Sequence, residues 1–166
     1  MLRTRDFYLK KVYDLTGKKI GTIEDIYIDF YNGKVVGFEV SNYTLFSKKN
    51  FIDIKDVMYM GEYIVVLQIK KGNGLKFKDI KAMDVMNKKN ELMGVLDEII
   101  INPEDNSIKG LILGSGLIDT MIHGKEILLI NECVLGEKYI LYTGNVKVLF
   151  KSMPHEMEAC NAVYKA

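Results

Sequence analysis

The fold of this 166-residue chain is decided by a stretch that occurs twice. It reads IGTIEDIYID at residues 20–29 and MGVLDEIIIN at residues 93–102. Working outward, residues 12–40 align with residues 85–113 without a gap at an offset of 73, and five of the 29 pairs are identical. We therefore predict two copies of one small domain. The pairs match glycine with glycine, apolar with apolar and acid with acid: Gly21/Gly94, Gly37/Gly110, Ile23/Leu96, Glu24/Asp97 and Asp25/Glu98.

Each copy has the pattern of short strands joined by tight turns. Apolar and polar side chains alternate in residues 20–30, which is typical of a half-buried strand. Asn32-Gly33 follows and predicts a type I′ hairpin turn into a return strand at 34–40, and Asp105-Asn106 occupies the same point of the second copy. Short strands that close on themselves form small barrels without exposed edges. The other predicted strands are 50–54, 63–69, 125–130 and 139–142.

The repeat also predicts the domain boundaries. We expect the first barrel at residues 1–75 and the second at 76–150, joined by a glycine-containing linker at Lys70–Lys78. The remaining tail, 151–166, has Met153, Met157, Cys160 and Tyr164 at helical spacing, so we expect a short C-terminal helix. The predicted fold is all-β, with two tandem barrels and this helix.

The first copy carries a series of short motifs in a fixed order: Gly17-Lys18-Lys19-Ile20-Gly21, an acidic and apolar strand ending at Asp29, the hairpin, Val35-Val36-Gly37-Phe38, and Phe51–Val57. This order of elements resembles the PRC-barrel domain family. The second copy departs from the pattern at Asn90-Glu91 and at Asn102-Pro103. Such barrels occur in the cytoplasmic domain of the photosynthetic reaction centre H subunit and in the 16S ribosomal RNA maturation factor. The chain is also similar to small PRC-barrel proteins of spore-forming bacteria.

The resemblance implies a non-catalytic adaptor that binds a protein partner, because the family motifs serve turns and core and carry no common catalytic residues. Three other functions stay open. One is an accessory role in ribosome assembly or RNA processing, with ribosomal components as partners, and another is sensing of a small ligand or metal. The third is an enzyme, which we do not expect. Homodimerisation is compatible with small barrels, although no residue requires it.

Composition limits the classes of partner that the protein is expected to bind and indicates its cellular compartment. The net charge of +1, with only Arg3 and Arg5 as arginines, disfavours a sequence-specific nucleic-acid reader. No apolar run is long enough to span a membrane, and residues 1–6 lack the apolar core of a signal peptide. Cys133 and Cys160 stand in no motif and are expected to be reduced thiols. We therefore expect a cytoplasmic protein.

Few residue patterns predict chemistry. Glu24-Asp25 and Asp97-Glu98 sit on strands, where neighbouring side chains point to opposite faces, so neither pair is expected to form a catalytic dyad. In each pair we expect one carboxylate to be solvated at the surface and the other to lie near a turn. Asp29 is expected to accept amide hydrogens of its turn. Met153, His155, Met157 and Cys160 form a set of soft ligands that could bind copper(I), but packing of the methionines on the barrel is the preferred interpretation. We therefore predict no catalytic residue, cofactor or metal.

Two loops are the predicted partner-binding sites. They span residues 41–50 and 114–124, occupy equivalent positions in the two copies, and carry apolar side chains that either complete the core or anchor a partner. The candidate residues are Tyr43, Leu45, Phe46, Lys48, Lys49, Leu117, Ile118, Met121 and His123.

Overall fold

The computed structural model describes residues 1–41, 50–114, 125–145 and 148–150, with the backbone alone for the last three. Fourteen strands within these residues join into one sheet. The strands are β1 (Leu2–Arg3), β2 (Lys11–Asp14), β3 (Lys19–Asp29), β4 (Lys34–Ser41), β5 (Asn50–Asp53), β6 (Val57–Met60), β7 (Ile64–Val66), β8 (Asp84–Met86), β9 (Leu92–Asn102), β10 (Ser107–Gly114), β11 (Lys125–Leu129), β12 (Cys133–Leu135), β13 (Tyr139–Tyr142) and β14 (Val148–Phe150). Short 3-10 segments cover Thr4–Asp6, Ile54–Asp56 and Ile130–Glu132, and helix α1 covers Phe77–Ile80.

The two copies have the same strand order, which confirms the predicted tandem all-β architecture. Strands β9 and β10 begin and end 73 residues after β3 and β4. In the first copy, β3 pairs with β4 and β2, the parallel pair β2–β7 follows, and β6 and β5 complete the unit. The second copy repeats this order with β9, β10, β8, β13, β12 and β11.

The repeated glycine of β4 and β10 has a packing role. A Cβ atom on Gly37 would collide with the carbonyl oxygen of Ile52 and the ring of Phe51. A Cβ atom on Gly110 would lie 2.8 Å from the carbonyl oxygen of Leu128. Glycine therefore lets β5 cross close to β4, and lets β11 cross close to β10, above a continuous apolar core.

The two copies meet at the start of β4 and β10. Lys34 pairs with Ser107, the residue that occupies the same position in the second copy, 73 residues later. The N–H of Val35 donates to Asn106 O at 2.8 Å, and the N–H of Ile108 donates to Gly33 O at 2.7 Å. Because each bond is the equivalent of the other, an approximate two-fold axis passes between these strands.

Residues 2–7 and 75–80, which we term the crossing segments, reach from one copy to the other. Arg3 of β1 pairs with Ile100 of the second copy, and Lys76 pairs with Tyr27 of the first. The Arg3 N–H donates to the Asp6 carboxylate, just as the Lys76 N–H donates to Asp79. The predicted linker Lys70–Lys78 is therefore wrong in its second half, which repeats the start of the chain and pairs with β3.

The hairpin prediction is correct in place but wrong in turn type. Asp29 pairs with Lys34, so the loop has four residues and only Gly33, at φ 58°, has a positive φ. The Asp29 carboxylate accepts the N–H and the side-chain amide of Asn32, which confirms its predicted role. These bonds stabilise a longer loop than the two-residue type I′ turn.

The predicted C-terminal helix falls within 151–166 and lies outside the described residues. The predicted strand 63–69 lies inside them and is shorter than predicted, at Ile64–Val66. Across the part of the chain that the structure describes, no helix has the length and apolar character needed to cross a membrane.

Candidate functional site

The loop residues predicted to bind a partner all lie outside the described residues. The gaps at 42–49 and 115–124 contain every one of them. The described surface offers another candidate, which the sequence reasoning missed.

A cluster of three tyrosines, two exposed and one half-buried, lies on the outer face of the first copy. Tyr13 of β2 alternates with the buried Val12, so its side chain points away from the core. The ring of Tyr63 packs edge to face against Tyr13 at 5.7 Å and tilted against Tyr59 at 5.1 Å. Tyr59 is 49% exposed and Tyr63 is 44% exposed. We call Tyr13, Tyr59 and Tyr63 the tyrosine face.

Sheet register builds this face from three strands. Val65 of β7 lies opposite both Tyr13 of β2 and Tyr59 of β6. A bulge at Met58 shifts the register of β6, and both Met58 and Tyr59 are exposed as a result. Because the bulge depends on pairing between β6 and β7, the spacing of the tyrosines in the sequence did not reveal the cluster.

A groove of about 380 Å³ adjoins the tyrosine face. Its lining is mainly apolar and aromatic, and the exposed Leu15 is part of it. None of the three tyrosine hydroxyls forms a hydrogen bond within the described residues. The groove therefore combines apolar walls with free hydroxyl groups, as ligand and peptide sites do. The lining residues are Tyr13, Asp14, Leu15, Gly17, Tyr63 and Val65.

The one carboxylate of the groove is engaged by its own loop. Asp14 Oδ1 accepts the N–H of Thr16 at 2.9 Å, the Thr16 hydroxyl at 2.6 Å and the N–H of Lys18 at 3.0 Å. The Thr16 hydroxyl bond is the main reason that the pKa of Asp14 is lowered. Lys11 and Lys18 are exposed nearby, and Lys11 shares the Tyr13 side of β2. The residues that line the groove between Tyr13 and Gly17 are thus preceded and followed in the sequence by an exposed lysine.

The second copy lacks the tyrosine face. Met86 and Leu141 occupy the positions of Tyr13 and Val65, Val134 faces Leu141, and only Tyr139 remains of the three tyrosines. The corresponding surface is aliphatic there, with Leu92 opposite Met86. In the aligned repeat, Tyr13 is replaced by Met86, and this difference is the sequence signal that could have indicated the surface.

Each acidic pair has one partly exposed carboxylate, Glu24 or Asp97, but its other carboxylate is buried rather than placed near a turn as predicted. Asp25 is 1% exposed and Glu98 is 6% exposed, at the crossing segments. Glu98 Oε1 lies 3.6 Å from Arg5 Nε, and the N–H of Lys78 donates to Asp25 Oδ1 at 3.4 Å. Burial, Asp25 and Glu98 together raise the pKa of Tyr8 to about 12. Asp25 of β3 and Glu98 of β9 are buried because a crossing segment of the other copy covers each strand.

Neither a metal cluster nor a reactive thiol is found among the described residues. The described residues contain no group of three or more histidine, cysteine, aspartate or glutamate side chains arranged to hold a metal. Burial raises the pKa of the Cys133 thiol to about 12, so the reactive thiolate is scarce at neutral pH. Cys160 and the soft-ligand set of the tail lie outside the described residues.

Comparison with known proteins agrees with the architecture. The PRC-barrel domain family matches the chain twice, at residues 1–74 and 72–147. None of the curated proteins matches the chain significantly. Since the two matches span nearly the whole sequence, the chain belongs to the PRC-barrel domain family.

Proposed function

We propose that this protein is a non-catalytic interaction module that binds a protein partner through the tyrosine face. The observation that carries the proposal is the cluster of the exposed Tyr59 and Tyr63 with the half-buried Tyr13 beside an apolar groove. Tyrosine is enriched at protein interfaces because it combines a large apolar ring with a polar end. The partner is unidentified, and the cytoplasm is its proposed location.

The difference between the copies supports this assignment. Both copies share the residues that build the barrel, such as Gly37 and Gly110. The tyrosines are present in the first copy, whereas the second has Met86 and Val134 at the corresponding register positions. A cluster that the fold does not require is a better candidate for recognition than residues that the fold requires. In this proposal the second barrel supports the first.

Affinity capture from a lysate of the native host, with and without RNase, tests the proposal. We expect one protein to be enriched in both conditions and to be lost with the double variant Tyr59→Ser, Tyr63→Ser. The variant Tyr139→Ser is the matched control, because Tyr139 is the 42% exposed equivalent in the second copy. Equal capture of the partner by all variants would show that the tyrosine face is not the binding site. Ribosomal proteins that disappear with RNase would favour ribosome assembly instead.

A further inference from the structure

We propose that the partner segment is an extended, proline-rich peptide with acidic residues at its ends. This inference rests on the proposed function, because it specifies the ligand of the same tyrosine face. It follows from three properties of the groove: the shape of its aromatic walls, its hydrogen-bonding groups and its flanking charges.

The walls suit a flat apolar side chain that is already rigid. The rings of Tyr13 and Tyr63 stand 83° apart with Val65 in the same lining, so ring surfaces meet at a right-angled corner. Exposed Leu15 belongs to the same groove. Polyproline II segments dock into aromatic-lined grooves, and they lose little conformational entropy because proline fixes φ before binding.

The hydrogen-bonding groups of the groove suit a ligand that offers acceptors. The hydroxyls of Tyr13 and Tyr63 in the groove, and that of the adjacent Tyr59, have no partner within the described residues and can donate. The Asp14 carboxylate is held by the amides of Thr16 and Lys18. Proline lacks an N–H, and a polyproline II backbone leaves its carbonyl oxygens free to accept bonds from such hydroxyls.

The flanking charges select the ends of the peptide. Lys11 and Lys18 are exposed on either side of Tyr13 in the sequence. Neither lysine forms an ion pair within the described residues, although the charge of Lys18 contributes to the lowered pKa of Asp14. Acidic residues flanking the proline run would be attracted to these ammonium groups, with an effect mainly on the rate of association.

A single-stranded nucleic acid fits the same surface less well. Bases bind by stacking on exposed aromatic faces along a positively charged track. Here the edge-to-face contact between Tyr13 and Tyr63 occupies part of the ring surface, and Leu15 and Val65 complete the lining with aliphatic groups. A second copy of the chain would bring identical lysines towards each other, which is unfavourable.

The test is an NMR titration of the full-length, ¹⁵N-labelled protein with a blocked peptide, Glu-Pro-Pro-Pro-Pro-Glu. Its control replaces the prolines with glycine. We expect saturable shifts of the amides around Tyr13, Tyr59 and Tyr63, and no comparable shifts with the control peptide. The double variant Tyr59→Ser, Tyr63→Ser should weaken binding about 30-fold or more, as loss of an interface hot spot does. The variant Tyr139→Ser should bind within about twofold of the parent, as its site is on the other copy.

Each other result would overturn the inference. Shifts of the same amides with octauridylate in place of the peptide would assign the face to nucleic acid. Shifts that depend on protein concentration alone would assign it to a second copy. If the proline peptide has no effect but capture from lysate still requires Tyr59 and Tyr63, the peptide class is wrong and the proposed function stands. If capture is also indifferent to both residues, both proposals fail.

Discussion

Asp25 carries a carboxylate that is 1% exposed, and its Oδ2 atom has no hydrogen-bond partner within the described residues. Burial raises the pKa of Asp25 and outweighs the backbone bonds from Ile26 and Lys78, while Glu39 raises the pKa further. Glu39 lies directly opposite Asp25 on β4. The charged form of Asp25 is therefore unfavourable in the folded protein, because two carboxylates share a buried site.

This shift predicts a pH-dependent difference between the parent and Asp25→Asn. Above the unfolded-state pKa of 3.8 the native state holds the Asp25 proton more tightly than the unfolded state. Protonated Asp25 is thus compatible with the folded protein at low pH. The stability that it contributes is lost as the pH rises through its pKa in the folded state. In urea unfolding, Asp25→Asn should gain stability relative to the parent between about pH 4 and pH 7. A constant difference would contradict the assigned burial effect.

At the scale of elements, the crossing segments hold the copies together with ion pairs to buried carboxylates. Lys76 Nζ lies 3.2 Å from Glu39 Oε1, and this bond raises the pKa of Lys76. On the other copy, Arg3 Nη1 and Arg5 Nε lie 4.0 and 3.6 Å from Glu98. The glutamates are buried and the cations are more exposed, so each cation offsets a charge that the fold has removed from water.

We predict that Lys76→Met destabilises the protein by about 1–3 kcal/mol, because the buried Glu39 carboxylate loses its ammonium partner. Chemical denaturation at neutral pH measures the loss. Lys109→Met is the matched control, since its 3.5 Å pair with Asp105 is exposed on both sides and should cost less than about 1 kcal/mol. Adding Glu39→Gln to Lys76→Met should recover part of the loss. Equal costs for Lys76 and Lys109 would contradict a role for the crossing segment.

At the scale of the whole molecule, the two copies share main-chain bonds at β4 and β10 and exchange their crossing segments. A continuous apolar cluster includes buried residues of both. We therefore expect one cooperative unfolding transition rather than two.

Ile64→Ala and Ile140→Ala test that cooperativity. Ile64 and Ile140 occupy equivalent positions of β7 and β13 and are both fully buried. Each substitution should cost about 2–5 kcal/mol by leaving a cavity. Hydrogen exchange should then show an equal loss of protection for the most stable amides of both copies. Loss confined to the substituted copy would mean that the barrels unfold independently.

The sequence predicted the backbone pattern well because that pattern depends on local physics. Alternation over residues 20–30 predicted strand β3, and its apolar residues Ile26 and Ile28 are buried, as are their equivalents in β9. The alternation did not predict that Asp25 and Tyr27 between them are buried as well. The hairpin was located by Asn32-Gly33, although the bonds to Asp29 produced a four-residue loop. Loop residues such as Phe46 and Leu117 lie outside the described residues, so the predicted partner-binding loops stay predictions.

By itself, the sequence determined the duplication, the all-β class and the membership of the PRC-barrel domain family, because each is recorded in short-range spacing and in the repeat. Only the tertiary structure decided that Asp25 is buried and that Tyr13, Tyr59 and Tyr63 form one face. Burial of Asp25 depends on a segment more than 50 residues away in the chain, Lys76 to Lys78, that crosses from the second copy. The tyrosine face depends on the register of three strands and on one bulge, which are set by long-range pairing rather than by the residues around each tyrosine.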